Sequence, residues 1–214
     1  FVLQRLGDQA GAADPDAVTE PLDRSMLAAL DALVAEVTAL LDGYDHTRAL
    51  ERTEAFFWGF CDDYLELVKD RAYGSRGEAA RASAAAALAV GLEVQLRLLA
   101  PVLPYVTEEV WSWWRDGSIH RASWPAPPAR WRPPGDPLVL EASGQALAAV
   151  RRAKTQASRS MRAPVARLLV VDAPERVAAL RAAADDLRSA GVVGELRLEP
   201  GGEPAVEVTL ADPD

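Results

Sequence analysis

The three- to four-residue spacing of apolar side chains in the first half of the chain constrains the fold most. From Leu22 to Leu41, Leu, Met and Val recur at this spacing, which on an α-helix places them on one face. Thr19 is the predicted cap of this first helix, and Gly43 is its predicted stop. A helix with one apolar face must bury that face against a neighbour, so the pattern predicts packed helices.

Three further helices follow in the prediction. Asp45 is a candidate cap for a second helix, which runs to about Arg71 and ends in a polar turn. The third covers Glu78–Ala100, and Pro101 ends it because proline donates no backbone hydrogen bond. The fourth, Pro104–Trp114, carries carboxylates in its first turn, where the helix dipole favours them. Together the four helices are predicted to form a bundle.

A proline-rich segment separates this bundle from the rest of the chain. Residues 118–137 contain six prolines and two of the six tryptophans, a composition that cannot continue a helix and favours an extended linker. The predicted organisation is a helical bundle at 1–117, this linker, and a small α+β domain at 138–214. The predicted fold class is mostly α.

The predicted α+β domain mixes helices and strands. Its predicted elements are a helix over 139–162, a strand at Val165–Val171, a helix at Pro174–Ala190, and strands at Val192–Leu198 and Ala205–Leu210. Gly201-Gly202 lies between the last two strands and is typical of a hairpin turn. The final two strands are therefore predicted to pair as a hairpin.

Composition excludes several kinds of site. Cys61 is the only cysteine, so an internal disulfide and a cysteine-based metal cluster are excluded. His46 and His120 are too isolated in the sequence to predict a metal site. No uninterrupted apolar run approaches the roughly 20 residues of a membrane span. These features predict a cytoplasmic protein with no bound metal and no membrane contact.

The charge of the chain is unevenly distributed. The formal net charge of −9 argues against nucleic acid, because phosphate binding depends on clustered Lys and Arg. Residues 121–167, however, contain nine basic and two acidic side chains, a local charge of +7. The rest of the chain carries −16. The basic segment is thus one candidate region for contact with phosphate.

The second predicted helix carries an unusual load of aromatic side chains. On a helical wheel, nine side chains fall on adjoining inward arcs: Leu50, Phe56, Phe57, Phe60, Cys61, Tyr64, Leu65, Leu67 and Val68. They are interpreted as core, and Cys61 is interpreted as a small buried hydrophobe rather than a nucleophile. Trp58 lies at the boundary, where its indole could reach solvent and stack on a ligand.

The outward face of this helix carries two arginines four residues apart. Arg48 and Arg52 repel each other weakly in an isolated helix, and an anionic partner would relieve the repulsion. The alternative is a solvated face on which Asp45 and Glu51 neutralise the pair. The carboxylates of this face are interpreted as surface charge, since no partnering histidine or second acidic cluster accompanies them. They are Asp62, Asp63 and Glu66.

The predicted helix after the linker carries a basic stripe. Five cations fall within one arc of this helix: Arg151, Arg152, Lys154, Arg159 and Arg162. Arginine presents a fork of donors that suits phosphate oxygens, so the stripe is a candidate contact for a nucleic-acid backbone. The alternative is a solvated face balanced by acidic residues elsewhere in the chain.

A resemblance to a known family comes from the second helix. The series Phe-Phe-Trp-x-Phe-Cys-x-x-Tyr-Leu-Glu-Leu-Val-Lys at 56–69 resembles the anticodon-binding helical domain of class I aminoacyl-tRNA synthetases, the valyl branch in particular. Flanking matches are Asp23-Arg24, Tyr44-Asp45 and Leu99-Ala100-Pro101-x-Leu103-Pro104-Tyr105-Val106-Thr107-Glu108-Glu109-Val110-Trp111. The resemblance is strong over residues 20–126 and fades to general architecture after that.

The resemblance implies a parent enzyme that joins valine to tRNA(Val) using ATP with Mg²⁺. The catalytic signatures of the family, His-Ile-Gly-His and Lys-Met-Ser-Lys-Ser, are both missing from this chain. The chain itself is therefore expected to have no catalytic residue and to hold no cofactor. The resemblance places catalytic and editing domains N-terminal to it and a coiled coil after it, in a monomeric enzyme.

The resemblance also implies which side chains contact tRNA. Arg48 and Arg52 are expected to meet phosphates or bases. Phe57 or Trp58 is expected to stack on a base, and Asp63 to bind a base edge. The basic stripe is expected to lie on the tRNA backbone. Two rival hypotheses are a stand-alone noncatalytic interaction module and the equivalent domain of an isoleucyl or leucyl enzyme.

Overall fold

The first part of the chain is helical, as the apolar spacing predicts. The computed structural model describes residues 1–6, 15–126 and 135–212. A π-helical turn at Phe60–Tyr64 joins two helices without a break, and single 3-10 turns lie at Pro15–Ala17 and Ile119–Arg121. The helices are α1 (Val2–Leu6), α2 (Pro21–Asp42), α3 (His46–Gly59), α4 (Leu65–Ala72), α5 (Glu78–Leu99) and α6 (Pro104–Ser112).

The ends of α2 and α3 follow from capping chemistry, with one correction. Gly43 ends α2 as predicted, and the Asp45 side chain caps α3 by accepting a backbone N–H. Thr19 is not the cap of α2. Glu20 holds that position without a side-chain hydrogen bond, and the Thr19 N–H donates to Ser83 Oγ at 3.1 Å. The start of α2 is therefore held by α5 rather than by a local cap.

The rest of the chain contains helices and strands, as predicted for a small α+β domain. The helix after the linker ends at Gln156 rather than at 162, and the single helix expected at 174–190 is broken at Ala183. Ser158 has a positive φ of 52°, which turns the chain away from the axis of the preceding helix. The elements are α7 (Pro137–Gln156), β1 (Val165–Asp172), α8 (Pro174–Ala182), α9 (Ala184–Gly191), β2 (Val193–Pro200) and β3 (Ala205–Leu210).

The three strands form one sheet in the order β2-β1-β3, so the predicted hairpin is wrong. β1 is central, with β2 parallel on one side and β3 antiparallel on the other. The connection through α8 and α9 returns the chain to the same end of the sheet, which makes β2 parallel to β1. The Gly201 N–H then donates to the Asp172 carbonyl at 2.9 Å, where the chain crosses the end of β1 to its other edge.

The side chains of α3 and of the π-helical turn that the wheel places inward differ in burial. A π turn holds more residues than an α turn, so the residues after it are rotated relative to a uniform wheel. Phe60 and Tyr64, within the turn, are buried as predicted. Cys61 in the turn is only half-buried, and so is Phe57, which precedes the turn in α3. Phe60 fits because Gly91 of α5 leaves room for it: an added Cβ there would lie 2.7 Å from the Phe60 ring.

One hydrophobic core extends across both predicted domains. A single cluster of buried apolar side chains includes Leu22 of the bundle together with Leu147 of α7 and Leu168 of β1. The division of the chain into two domains stays a prediction. Any boundary between them would pass through buried surface.

The predicted linker is partly described. Residues 122–126 form neither helix nor strand, and Trp124 packs against α2, where its indole N–H donates to Thr38 Oγ1 at 2.9 Å. Residues 127–134, which include two arginines of the basic segment, lie outside the described residues. Gly135 is followed directly by the cap of α7 at Asp136.

α5 is long and apolar enough to cross a membrane by length and composition alone. Within its most apolar window, however, 78% of the residues are buried inside the protein. Ala84, Ala87 and Leu88 have no exposed surface. The burial of α5 as the core helix of the bundle explains its apolar composition.

A buried ionic network joins the bundle to the elements beyond the linker. Arg71, at the end of α4, donates to the Asp23 carboxylate of α2 through Nη2 and Nη1, at 2.8 and 2.9 Å. Its Nε donates to Asp186 of α9 at 2.7 Å. Arg71 and Asp23 are both 0% exposed, so their pairing is removed from water. The hydroxyls of Tyr64 and Ser83 also donate to Asp23, at 2.8 and 2.6 Å.

Burial and pairing shift the pKa values of this network. Burial disfavours the charge on Arg71, but the hydrogen bonds and charges of Asp23 and Asp186 outweigh it and raise the pKa of Arg71. Burial raises the pKa of Asp186, and the charge of Arg71 opposes that rise. Burial also raises the pKa of the Tyr64 hydroxyl well above its usual range, with the negative charge of Asp23 adding to it. Arg71 therefore stays charged, and Tyr64 neutral, in the folded protein.

Removing the cation of the network should destabilise the fold. Arg71→Met leaves the buried Asp23 without a cationic partner and leaves Asp186 with Arg76 alone, so we expect the free energy of unfolding to fall by about 3–5 kcal/mol. Urea denaturation followed by circular dichroism measures this loss. Arg188→Met is the control, because the pairing of Arg188 with Asp185 is exposed, and it should leave the midpoint nearly unchanged. Equal effects of the two substitutions would contradict a stabilising role for the network.

The raised pKa of Tyr64 predicts a loss of stability in alkali. The folded protein holds this proton more tightly than the unfolded chain, so the contribution to stability is complete below about pH 10 and is lost as the pH rises above it. Tyr64→Phe should cost about 1 kcal/mol for the lost hydrogen bond but should weaken this pH dependence. Urea midpoints measured at several alkaline pH values test it. Tyr105→Phe, at a residue that is 90% exposed, should keep the wild-type slope.

Candidate nucleic-acid interface

The two arginines expected to meet RNA lie on the exposed face of α3. The Arg48 side chain is 65% exposed, and its Nη1 lies 3.9 Å from Asp45 Oδ2. Arg52 is 56% exposed, and its Nε donates to Glu36 Oε1 of α2 at 2.9 Å. Asp45 therefore pairs with Arg48, as the alternative of a solvated face predicts. Arg52, however, pairs with Glu36 instead of Glu51. Exposed pairs of this kind contribute less than about 1 kcal/mol, so a phosphate can replace either carboxylate.

Trp58, further along α3, presents its ring to solvent as predicted. It is 54% exposed, and its indole N–H donates to Glu54 at 3.3 Å. Phe57 is half-buried and meets Trp58 edge to face, with ring centroids 5.4 Å apart. Of the two candidates for stacking on a base, Trp58 therefore has the more accessible ring, and Phe57 supports it from the side.

Asp63 is held in place by α7. Its Oδ1 accepts a hydrogen bond from Arg151 Nη1 at 3.1 Å. Gly144 allows the close approach of α7, since an added Cβ there would lie 3.1 Å from Asp63 Oδ2. Burial raises the pKa of Asp63, and the positive charge of Arg151 acts against that rise. If Asp63 bound the edge of a base, its carboxylate would accept hydrogen bonds from both the base and Arg151.

The predicted basic stripe is not one face of one helix. Because α7 ends at Gln156, the last two cations of the stripe lie in the loop that follows. Three of the five cations are engaged with other parts of the fold: Arg151, Lys154 and Arg159. The side chains of the other two, Arg152 and Arg162, are exposed and have no partner among the described residues.

Lys154 is the least expected of these cations. It is 1% exposed, and its Nζ donates to the carbonyl oxygens of Met161 at 2.9 Å and Gly191 at 2.8 Å. Burial lowers the pKa of Lys154. The sequence does indicate that Lys154 is buried. It follows Leu147 and Val150 at helical spacing, which places it on the apolar side of α7.

Histidine and cysteine chemistry is not built into the described residues. No group of three or more His, Cys, Asp or Glu side chains is placed there to hold a metal ion. His120 Nε2 lies 3.1 Å from the Pro104 carbonyl oxygen. Burial raises the pKa of the Cys61 thiol, and the charge of Asp62 adds to it, which disfavours the reactive thiolate.

Comparison with known families identifies the family to which this chain belongs. Residues 23–170 match the family model described as the anticodon-binding domain of tRNA ligase. The chain belongs to this family. The matched region begins at Asp23 of the buried network and extends through α7 into β1, so it includes elements on both sides of the predicted linker.

Individual relatives of this anticodon-binding domain are valine–tRNA ligases. The ligase of Thermobifida fusca is 52% identical over 99% of this chain. Those of Leifsonia xyli and Salinispora tropica are 48% and 49% identical over 93% and 90% of it. The chain spans only 23–24% of the length of these relatives. The similarity therefore concerns one part of much longer proteins.

The contact between Arg151 and Asp63 gives a testable prediction for this anticodon-binding domain. The charge of Arg151 opposes the effect of burial, so Arg151→Gln should raise the pKa of Asp63 further. A carboxyl ¹³C NMR titration measures that pKa. Arg152→Gln is the matched control because Arg152 is the adjacent, exposed arginine, and it should have no effect. An unchanged pKa of Asp63 in Arg151→Gln would contradict the pairing.

Proposed function

We propose that this anticodon-binding domain is the C-terminal, tRNA-binding part of a valine–tRNA ligase, which joins valine to its tRNA using ATP. The observation that carries the proposal is the 52% identity with such a ligase over 99% of the chain. The geometry supports it, because two exposed arginines and an exposed tryptophan lie on the single helix α3.

The exposed face of α3 suits the loop of an RNA hairpin. Guanidinium groups of Arg48 and Arg52 can each offer paired donors to phosphate oxygens, and Trp58 can stack on an unpaired base. The carboxylates that now pair with the arginines are exposed and easily exchanged for phosphate. The RNA that this function requires is tRNA(Val), held by its anticodon stem-loop.

The chemistry of the proposed ligase belongs to other parts of the polypeptide. This chain lacks both catalytic signatures of class I synthetases, so ATP, Mg²⁺ and the catalytic and editing domains are assigned to the region N-terminal to it. The domain contributes by holding the anticodon stem-loop so that the acceptor end is aligned in the distant active site. We assign the enzyme to the cytoplasm and expect a monomer.

Binding of tRNA tests this proposal directly. A tRNA with a valine anticodon should bind more tightly than the same tRNA with that anticodon replaced, as measured by fluorescence anisotropy. Arg52→Gln should weaken binding about tenfold, because a charge-assisted hydrogen bond to phosphate is lost. Arg197→Gln, at an exposed arginine of β2, is the control for the change in net charge and should bind like the wild type.

Other outcomes of the same experiment favour the rival hypotheses. Equal binding of the two tRNAs would contradict anticodon recognition and favour a noncatalytic interaction module. Tighter binding of a tRNA with an isoleucine or leucine anticodon would favour the equivalent domain of an isoleucyl or leucyl enzyme.

A further inference from the structure

A cleft of about 580 Å³ lies between α4, α7, α9 and the loop after α7. Its lining has an excess of two positive charges, in a chain whose net charge is −9. A concave surface with this local charge attracts anions although the whole protein is acidic. The charged side chains of the lining are Lys69, Arg151, Lys154 and Arg162, together with Glu66 and Asp70.

Lys154 builds one wall of the cleft. Its ammonium group has three N–H donors, of which two bind the carbonyl oxygens of Met161 and Gly191. These bonds hold the loop after α7 against the end of α9, so the cleft is formed before any ligand arrives. No carboxylate pairs with Lys154 in the described part of the chain, so its buried charge is balanced only by the dipoles of these two carbonyl groups. An anion in the cleft would add a compensating charge.

Two exposed cations complete the basic lining. Arg162 follows Met161, the residue whose carbonyl Lys154 holds, and its side chain has no partner among the described residues. Lys69 of α4 pairs with Glu66 at 3.0 Å, but both side chains are 46% exposed, so the pair is weak and exchangeable. Both cations are therefore available to an anionic ligand.

We propose that this cleft binds a phosphodiester group of the tRNA backbone, with Arg162 and Lys69 contacting the phosphate oxygens. Lys154 acts as the positioning residue that fixes the walls of the cleft. The inference rests on the proposed function and adds a second RNA contact to the exposed face of α3. Arginine and lysine both bind phosphate well, arginine through paired donors and lysine through a concentrated charge.

The distance between the cleft and the exposed face of α3 is within the length of one RNA stem. Lys69 lies 17 residues beyond Arg52 along the continuous helix α3–α4, or roughly 25 Å at the rise of an α-helix. Phosphates on one strand of a duplex are about 3.4 Å apart along the axis, so a stem held at Arg52 by its loop is long enough to reach the cleft. A free anion would gain nothing from this spacing.

Substitution of the exposed cations tests the cleft. In Arg162→Gln, the Kd for tRNA with a valine anticodon should rise about tenfold, and the slope of log Kd against log salt should fall by about 1. Lys69→Gln should act in the same direction with a smaller effect, because Lys69 is already paired. Lys154 is left unchanged because its loss would disturb the fold. Arg197→Gln is the control: Arg197 is an exposed arginine of β2, outside the cleft, and its loss should change neither quantity.

The outcomes separate this inference from the proposed function. Wild-type Kd and salt slope in both Arg162→Gln and Lys69→Gln would overturn the cleft, and a surviving preference for the valine anticodon would leave the proposed function intact. If the wild-type protein shows no preference for the valine anticodon, the proposed function is wrong. The salt slope of Arg162→Gln then still tests whether the cleft binds RNA. Micromolar binding of inorganic phosphate that Arg162→Gln abolishes, with tRNA binding unchanged, would overturn the RNA assignment in favour of a small anion.

Discussion

The pairing of Arg71 with Asp23 and Asp186 is the interaction on which the rest of the structure depends. A guanidinium removed from water is tolerated only while its carboxylate partners stay in place, and those partners lie on helices near opposite ends of the chain. One side chain therefore fixes α2, α4 and α9 relative to one another. This arrangement is consistent with a core that runs without interruption from the bundle into the elements beyond the linker.

The same interaction sets the orientation of the candidate RNA-binding face. α3 and α4 form one helix through the π turn, so the rotation that points Arg71 at its partners also determines which side chains of α3 face outward. Tyr64, within the π turn, donates to Asp23 at 2.8 Å and ties the turn itself to the network. Tyr64 thus reaches the network from the same continuous helix on which Arg48 and Arg52 stay exposed.

Local patterns predict the helices of this chain, whereas long-range contacts decide how they are joined. Apolar spacing, together with the stop signals Gly43 and Pro101, locates α2 and α5 to within one residue at each end. The end of α7 is set by a turn at Ser158 and by Lys154, which binds carbonyls from two other segments. The wheel predicts that Arg48 and Arg52 are exposed, but it cannot show that Arg52 pairs with Glu36, which lies on another helix. The π turn is hidden from the wheel for a similar reason, since the wheel assumes one constant rotation per residue.

An acidic chain can bind RNA when its exposed cations are weakly paired. Arg48, Arg52 and Lys69 each have an exposed carboxylate partner, which lowers the local positive potential in the absence of RNA and limits nonspecific attraction. Because each such pair contributes less than about 1 kcal/mol, a phosphate in the right position can displace the carboxylate. Arg71 is the opposite case, since burial makes the loss of either partner strongly destabilising. Burial thus separates the cations that hold the fold together from those that are available to an anionic ligand.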